Sequence, residues 1–298
     1  MKTRNFPHRL CKALTGHTLG EIDTLTPAFH EAWNAAEKGR GVLGTGARRV
    51  RALGAGRDAT LRTSRDKLIF VLCWFKVYPT FDVLGHLFGM DYTAACRWAH
   101  RLQPVLEAAL RRKKYLPERK AYNLEQALAA CPPLAFIVDG TDRPCQRPKH
   151  GGARKARYSG RKKRHTIKNV LAVRNGRVVL LGKTRGGRRH DKKCIDEERF
   201  QFPAGSTVLG DTGFVGYTRP RVKVVTPVKK GKGANRRKSA FNTRLSGQRI
   251  CVEHAICGVK RSRICADTLR MRRGPFQDGI MLVACGLHNF RVDSRHAA

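Results

Sequence analysis

Acidic residues are scarce in this chain. Its 298 residues include 22 Asp and Glu against 61 Lys and Arg, giving a formal net charge of +39. An enzyme of small molecules has no need of such an excess. A polyanionic partner is implied, with nucleic acid the default. Long hydrophobic runs are missing too. The longest, at 68–75 and 279–287, fall far short of the ~20 residues that span a bilayer. The N-terminal stretch MKTRNFPHRLCKALTG is basic and lacks an apolar segment, so no secretory signal is expected. The ten cysteines form no CxxC pair and read as reduced, small apolar core residues. The spacing of Cys251, His254 and Cys257 converges poorly on a single zinc ion. Apolar residues nevertheless make up 41% of the chain, enough to bury a core.

The charge is unevenly divided. Residues 1–138 carry 22 basic and 11 acidic groups, and residues 139–298 carry 39 and 11. The turn signal Cys131-Pro132-Pro133 marks a boundary near this shift. Three regions are therefore expected: a helix and a Gly/Arg-rich linker over 1–60, a helical domain over 61–130, and a second domain over 131–298.

In the first half, 26–37 reads as a short helix and 39–58 as linker. Gly41, Gly44 and Gly46 lack the Lys-Ser/Thr of a phosphate loop and so make no nucleotide site. Three helices follow at 65–77, 80–88 and 92–113. The last two are joined by Gly89-Met90-Asp91, where glycine suits a left-handed turn. Helix, tight turn and helix form the pattern of a helix-turn-helix, whose second member reads the major groove. Thr93, Arg97 and Arg101 lie four apart on that member. The other reading of the pattern is a plain helical hairpin.

In the second half the periodicity changes to strands, at 134–138, 166–173, 177–181, 207–209 and 222–225. Asn175-Gly176 signals a two-residue hairpin. Helices are expected at 191–200 and 248–263. The order suggests an α/β domain on a mixed sheet.

The few acids of this half are informative. None occurs from Arg143 to His190, and none from Thr212 to Val252. Asp139 and Asp211 each follow an apolar strand, the end of the sheet where open α/β proteins bind ligands. Glu253 interrupts the long acid-free run inside a helix. At 100° per residue, Arg249, Glu253 and Lys260 share one face, with Cys251, Val252, Ala255, Gly258 and Val259 opposite. For Arg249 and Glu253 alone, a surface ion pair suffices. Three carboxylates in a basic groove make sense together with divalent cations. Hard oxygen donors favour Mg²⁺ or Mn²⁺, and two such ions clamp the oxygens of an in-line phosphoryl transfer. Asp142 and Asp191 are the competing acids. Asp142 can pair with Arg143, and Asp191 suits a helix start. His165, in a basic run, is a candidate phosphate contact. The runs 154–168 and 219–238, including Lys229, Lys230 and Lys232, have charge but few groups suited to base edges, so they should bind phosphates whatever the sequence.

Five blocks in order resemble bacterial insertion-sequence transposases: IVDGTDRP (137–144), YSGRKKRHTIKN (158–169), GGRRHD (186–191), GDTGFVG (210–216) and RICVEHAICGVKR (249–261). They are similar to the branch of the DDE superfamily with a Harbinger-like catalytic domain. LGHLFGMDYTAACRW (84–98) resembles that group's helix-turn-helix module. The resemblance spans about residues 65–292. It implies an RNase-H-like α/β catalytic domain behind an all-α module. It implies Asp139, Asp211 and Glu253 as catalytic residues and ligands of two Mg²⁺ or Mn²⁺ ions. It implies double-stranded DNA as partner, both terminal inverted repeats and target, with metal-dependent cleavage and strand transfer. A bacterial cytoplasmic, nucleoid-associated protein that oligomerises on DNA goes with it. Around its Glu the family carries Tyr-x2-Arg-x3-Glu-x6-Lys. Arg249, Glu253 and Lys260 match, whereas Ser246 stands at the tyrosine position. A structure-selective nuclease on the same fold and a non-catalytic descendant are the alternatives.

Overall fold

A computed structural model of the chain describes residues 7–40, 60–119, 135–228 and 236–296. The linker, the Cys131-Pro132-Pro133 turn and Lys229, Lys230 and Lys232 lie outside the described residues. The chain divides into two compact units. The first comprises Met1–Leu116, Arg261–Ile264 and Gly279–Ala298, and the second Pro117–Lys260 and Cys265–Asp278. The last twenty residues thus join the helical unit, where sequence alone grouped them with the second half. No helix among the described residues is long and apolar enough to cross a membrane.

The first unit is helical: α1 (His8–Thr15), α2 (Leu19–Arg40), α3 (Ser64–Val77), α4 (Phe81–Phe88) and α5 (Tyr92–Arg112). Helix α2 is longer than expected because Thr18 and Glu21 cap it reciprocally, and Pro27 sits inside it. Helix α3 starts in a capping box of Thr63 and Asp66 and buries every residue from Lys67 to Phe75. Such a helix, covered on all sides, belongs at the centre of a bundle. Thr80 caps α4, Gly89 ends it at φ 69°, and the Asp91 carboxylate accepts from Ala94 N–H to start α5. These caps fix the tight helix-turn-helix connection. The chain ends in a long helix, Gly274–His296. Its apolar stretch within the first unit is buried, with Phe290 against His17 and Tyr115.

The second unit is built on a mixed sheet. Its strands are β1 (Ala135–Pro144), β2 (Tyr158–Ser159), β3 (Arg164–Arg174), β4 (Arg177–Leu181), β5 (Arg185–Gly186), β6 (Thr207–Leu209) and β7 (Lys223–Val225). The path runs β2-β3-β1-β6-β7, with β4 and β5 also paired to β3. The β1–β3 and β3–β4 pairs are antiparallel, while β1–β6 and β6–β7 are parallel. The arrangement is RNase-H-like. Asn175 and Gly176 take φ of 49° and 73° in the β3–β4 turn, as a type I′ hairpin requires. One face of the sheet packs Phe136, Val138, Val170, Ala172 and Val208 against Ile195, Phe200 and Phe214. Three helices complete this unit's part in the site: α6 (Gly151–Arg157), α7 (Asp191–Glu198) and α8 (Arg236–Lys260). Helix α8 lies against β1 and β3 and buries Leu245, Val252, Ala255 and Val259.

That buried stripe corrects one expectation. Cys251 and Cys257 are exposed and Cys96 is half-exposed, while Cys11, Cys73, Cys145, Cys194, Cys265 and Cys285 are buried. The stripe of Val252, Ala255 and Val259 leaves both helix cysteines to its sides.

Candidate active site

Register decides the geometry. Parallel β1 and β6 pair Ile137 with Leu209. Two residues further along each chain come Asp139 and Asp211. Side chains two apart on a strand share a face, so Asp139 emerges on the face of Ile137, and Asp211, just past the end of β6 and capping the turn Thr212–Phe214, lies near enough for its charge to act on Asp139. Asp139 lies on the face opposite the Phe136–Val138 core. Strand β1 does not stop at Asp139, as sequence suggested. It continues to Pro144 because β3 is long enough to pair with it as far as Thr166. Asp139 therefore stands where β1 loses its parallel neighbour and keeps its antiparallel one.

Both acids are fixed by the backbone. Asp139 Oδ1 accepts from Gly140 N–H and Asp211 Oδ1 from Gly213 N–H, each at 2.7 Å. Burial pushes the Asp139 carboxyl up to about 6. The charges of Asp211 and Asp191 add to this, whereas the Gly140 N–H and Arg249 oppose it. A carboxylate held among like charges in a dry setting resists ionisation, a feature of functional sites.

Asp191 enters from the other side of the sheet. Gly140 faces away from Asp139, and the Asp191 carboxylate occupies the space where a side chain at 140 would be. Only glycine there admits it. Lys168 Nζ stands 2.9 Å from Asp191 Oδ1, a charge contact that is not aligned as a hydrogen bond. The hydrogen bond of Lys168 goes to the Arg189 carbonyl at 3.0 Å. From sequence, Asp191 suits a helix start. It is the first residue of α7, but its carboxylate also enters the electrostatics of Asp139.

Glu253, Arg249 and Lys260 project from α8 into the same cleft as Asp139, Asp142, Asp191, Asp211 and Lys168, a cavity of about 810 Å³. Among the described residues, no group of three or more His, Cys, Asp or Glu side chains is gathered tightly enough to hold one ion. The acids face one space without converging on a point. The donor set is all carboxylate oxygen on the acid side, the hard chemistry that Mg²⁺ or Mn²⁺ takes. With like charges this close, a divalent cation is the fitting counter-ion.

Other motif residues serve the scaffold. Arg143 is fully buried. It donates to Asn169 Oδ1 at 3.0 Å and to the Gln277 carbonyl at 3.2 Å, while the Asp142 carboxylate accepts from Thr166 Oγ1 at 3.4 Å. Thr184 Oγ1 links Asn169 to Asp278, and Asp278 pairs with Arg119. A buried guanidinium needs such a network, and this one ties β1, β3 and the chain beyond β4 together beneath the cleft. Gly187 lies so close to Thr166 that any side chain would collide with it. The Gly-Gly of GGRRHD is thus a packing requirement.

In the helical unit, Thr93 and Arg97 are exposed on α5. Arg101, expected beside them, is turned inward. It pairs with Glu37 of α2 and lies over the rings of Trp33 and Trp98 at 4.4 and 5.0 Å. Glu37 is 64 residues away, so no local pattern revealed this partner.

Residues 138–289, just over half of the chain, match the family described as DDE superfamily endonuclease. Residues 60–112 match the helix-turn-helix of DDE superfamily endonuclease. A protein from Microchaete diplosiphon, described as a probable transposase for insertion sequence element IS702, is 27% identical over 231 residues, 76% of this chain and 80% of that protein. No solved structure matches the chain.

Proposed function

The chain belongs to the DDE superfamily endonucleases, and from that premise we propose that it is a DNA transposase that cuts and joins the ends of its own element. The observation that most supports this is the single cleft shared by Asp139, Asp211 and Glu253 with Arg249, Lys168 and Lys260. A groove with both signs of charge suits DNA phosphates and divalent cations together.

Asp139, Asp211 and Glu253 would hold Mg²⁺ or Mn²⁺, two ions on this reading. When bound, such ions supply Lewis-acid stabilisation of the attacking and leaving oxygens at phosphorus. The rest falls to the chain. The N–H groups of Gly140 and Gly213 orient Asp139 and Asp211. Lys168 balances Asp191, which limits the repulsion that Asp139 feels. Arg249 and Lys260, flanking Glu253 on α8, hold phosphate oxygens. The chemistry is two in-line displacements. Water attacks a phosphodiester at each end of the element and frees a 3′-hydroxyl. That hydroxyl then attacks a phosphodiester of target DNA, joining to its 5′-phosphate as the bond from phosphorus to the target's 3′-oxygen breaks and a target 3′-hydroxyl leaves. No Ser or Tyr nucleophile is required.

Recognition of the terminal inverted repeats falls to α5, with Thr93 and Arg97 toward the major groove. Arg101 stabilises the module through Glu37. The basic runs, with Lys229, Lys230 and Lys232, hold DNA without regard to sequence.

The test is a joining assay. Full-length protein, labelled duplex carrying the element's ends, supercoiled target and Mg²⁺ or Mn²⁺ are incubated together. Free 3′-hydroxyl ends followed by labelled target are expected. Cleavage without joining would favour the structure-selective nuclease instead, and neither product would contradict both.

A further inference from the structure

Beside the carboxylate cleft lies a second pocket that the chemistry above does not use. It is a cavity of about 820 Å³, within the ~300–1,000 Å³ of small-ligand sites. Arg147, Arg154, Lys155, Arg188, Tyr158 and His165 line it, with no carboxylate among its lining residues. It adjoins the cleft, since Gly160 and Arg188 line both.

Four cations account for a phosphate-binding surface. They do not account for Tyr158. This tyrosine is 43% exposed and stands among the pocket's cations. It pairs across strands with His165, and the two rings meet at 68° with centroids 5.6 Å apart. Its position is therefore set by the β2–β3 ladder and by a neighbouring ring, while nearly half of it remains open. A flat, fixed, exposed aromatic among cations is the arrangement by which proteins bind unpaired nucleotides. The ring stacks on the base and the cations hold the backbone. A base within a duplex has no face to offer.

We propose that this pocket binds one unpaired nucleotide of the DNA strand being processed, its base stacked on Tyr158 and its phosphates held by Arg154, Lys155 and Arg188. The proposal rests on the reading of the chain as a DNA-processing enzyme. It adds the kind of DNA that the cleft handles: a strand with at least one base out of the helix next to the phosphodiester to be cut. The exposed Tyr158 and the cations Arg154, Lys155 and Arg188 then have a shared ligand.

The experiment compares two duplexes of one sequence. One is fully paired, and the other carries a single unpaired 2-aminopurine. Full-length wild type, Tyr158→Ala and Tyr158→Trp are titrated by anisotropy and by 2-aminopurine fluorescence. Wild type should favour the DNA with the unpaired base roughly 5- to 150-fold, the range of one base–aromatic stack, and should quench its fluorescence. Tyr158→Ala should lose both the preference and the quenching while binding paired DNA as wild type does. Tyr158→Trp should retain both, which excludes misfolding as the cause. A wild type that binds and cleaves paired DNA but shows neither preference nor quenching overturns this proposal and leaves the transposase reading intact. An equal loss on both duplexes in Tyr158→Ala also overturns it, in favour of a phosphate site. A wild type that binds neither duplex overturns both.

Discussion

The two units use charge in opposite ways. In the helical unit, cations are matched to acids across helices. Arg65 meets Asp23 at 3.0 Å, Arg112 meets Glu31 at 2.5 Å, and Arg101 meets Glu37 beneath two indoles. In the sheet unit, Arg185 and Arg189 meet Glu198 and Glu197 of α7, and Arg119 meets Asp278. At the cleft one ion pair, Lys168 with Asp191, stands beside acids held by backbone donors. Asp139 and Asp211 accept backbone N–H groups, and Arg161, Lys162 and Arg164 line the rim. The contrast teaches that a tally of charges locates the working unit but not the working residue. Arg101 and Arg97 look alike in sequence. One is bound into the fold, and the other is exposed.

The largest effect that would sharpen this contrast is catalytic. Changing Asp139, Asp211 or Glu253 to Ala should lower cleavage about a thousandfold or more, since several kcal/mol of transition-state stabilisation are lost. DNA affinity should hold steady or rise, because removing a negative charge does not weaken phosphate attraction. Gel-shift and cleavage assays on one preparation separate the two. Full cleavage by any one variant would remove that residue from the site.

Next in size is the buried guanidinium. Arg143→Ala should cost about 3 kcal/mol of stability, because Asn169, Thr184 and the Gln277 carbonyl lose a charged partner. Arg101→Ala in the helical unit should cost about 1–2 kcal/mol, from a partly exposed pair and its ring contacts. Urea denaturation of the full chain measures both. Equal costs would erase the distinction drawn here between a sealed network and a surface pairing.

The charge at Asp139 has an effect on stability whose sign pH reveals. Its folded-state carboxyl is raised to about 6, so ionisation works against folding. Above that pH the metal-free wild type bears the whole penalty, and below the unfolded value it bears none. Asp139→Asn should therefore stabilise the metal-free protein at pH 7–8 by about 1–3 kcal/mol. The gain should fade as pH drops through 6 toward 4. Melting curves across that range check it, and a destabilised Asn variant at pH 8 would contradict the electrostatics described.

The smallest effects concern recognition. Arg97→Ala should lower the preference for the element's ends over scrambled DNA by about 1–3 kcal/mol, the worth of one bidentate base contact. Arg101→Ala should leave that preference unchanged in the protein that remains folded. Neutralising Lys229, Lys230 and Lys232 should weaken both DNAs alike and reduce the salt slope by roughly one unit per lost phosphate contact. Binding isotherms at several salt concentrations distinguish these patterns.

Much of this was legible in the sequence because it is local. The Thr80 cap, the Gly89 turn and the Asn175-Gly176 hairpin are signals of a few residues, and each appears where those residues stand. So does strand 207–209. The cleft acids were legible because acids are rare around them. What was hidden depends on distant partners. The length of β1 is set by its pairing with β3. The inward turn of Arg101 is set by Glu37, and the reach of Asp191 by the bare backbone at Gly140. Helix α6 gave no signal in a run dominated by Arg, Lys and Gly. Nothing in the sequence marks Tyr158, because its exposure, not its identity, sets it apart.

The most direct measurement is anomalous scattering from Mn²⁺ in crystals of the full chain bound to end DNA. The expected result is one or two Mn²⁺ peaks bounded by Asp139, Asp211 and Glu253, with α8 closed enough for Glu253 to reach them. Mn²⁺ held by Asp142 or Asp191 with Glu253 facing solvent would contradict the assignment of these three carboxylates as the metal site.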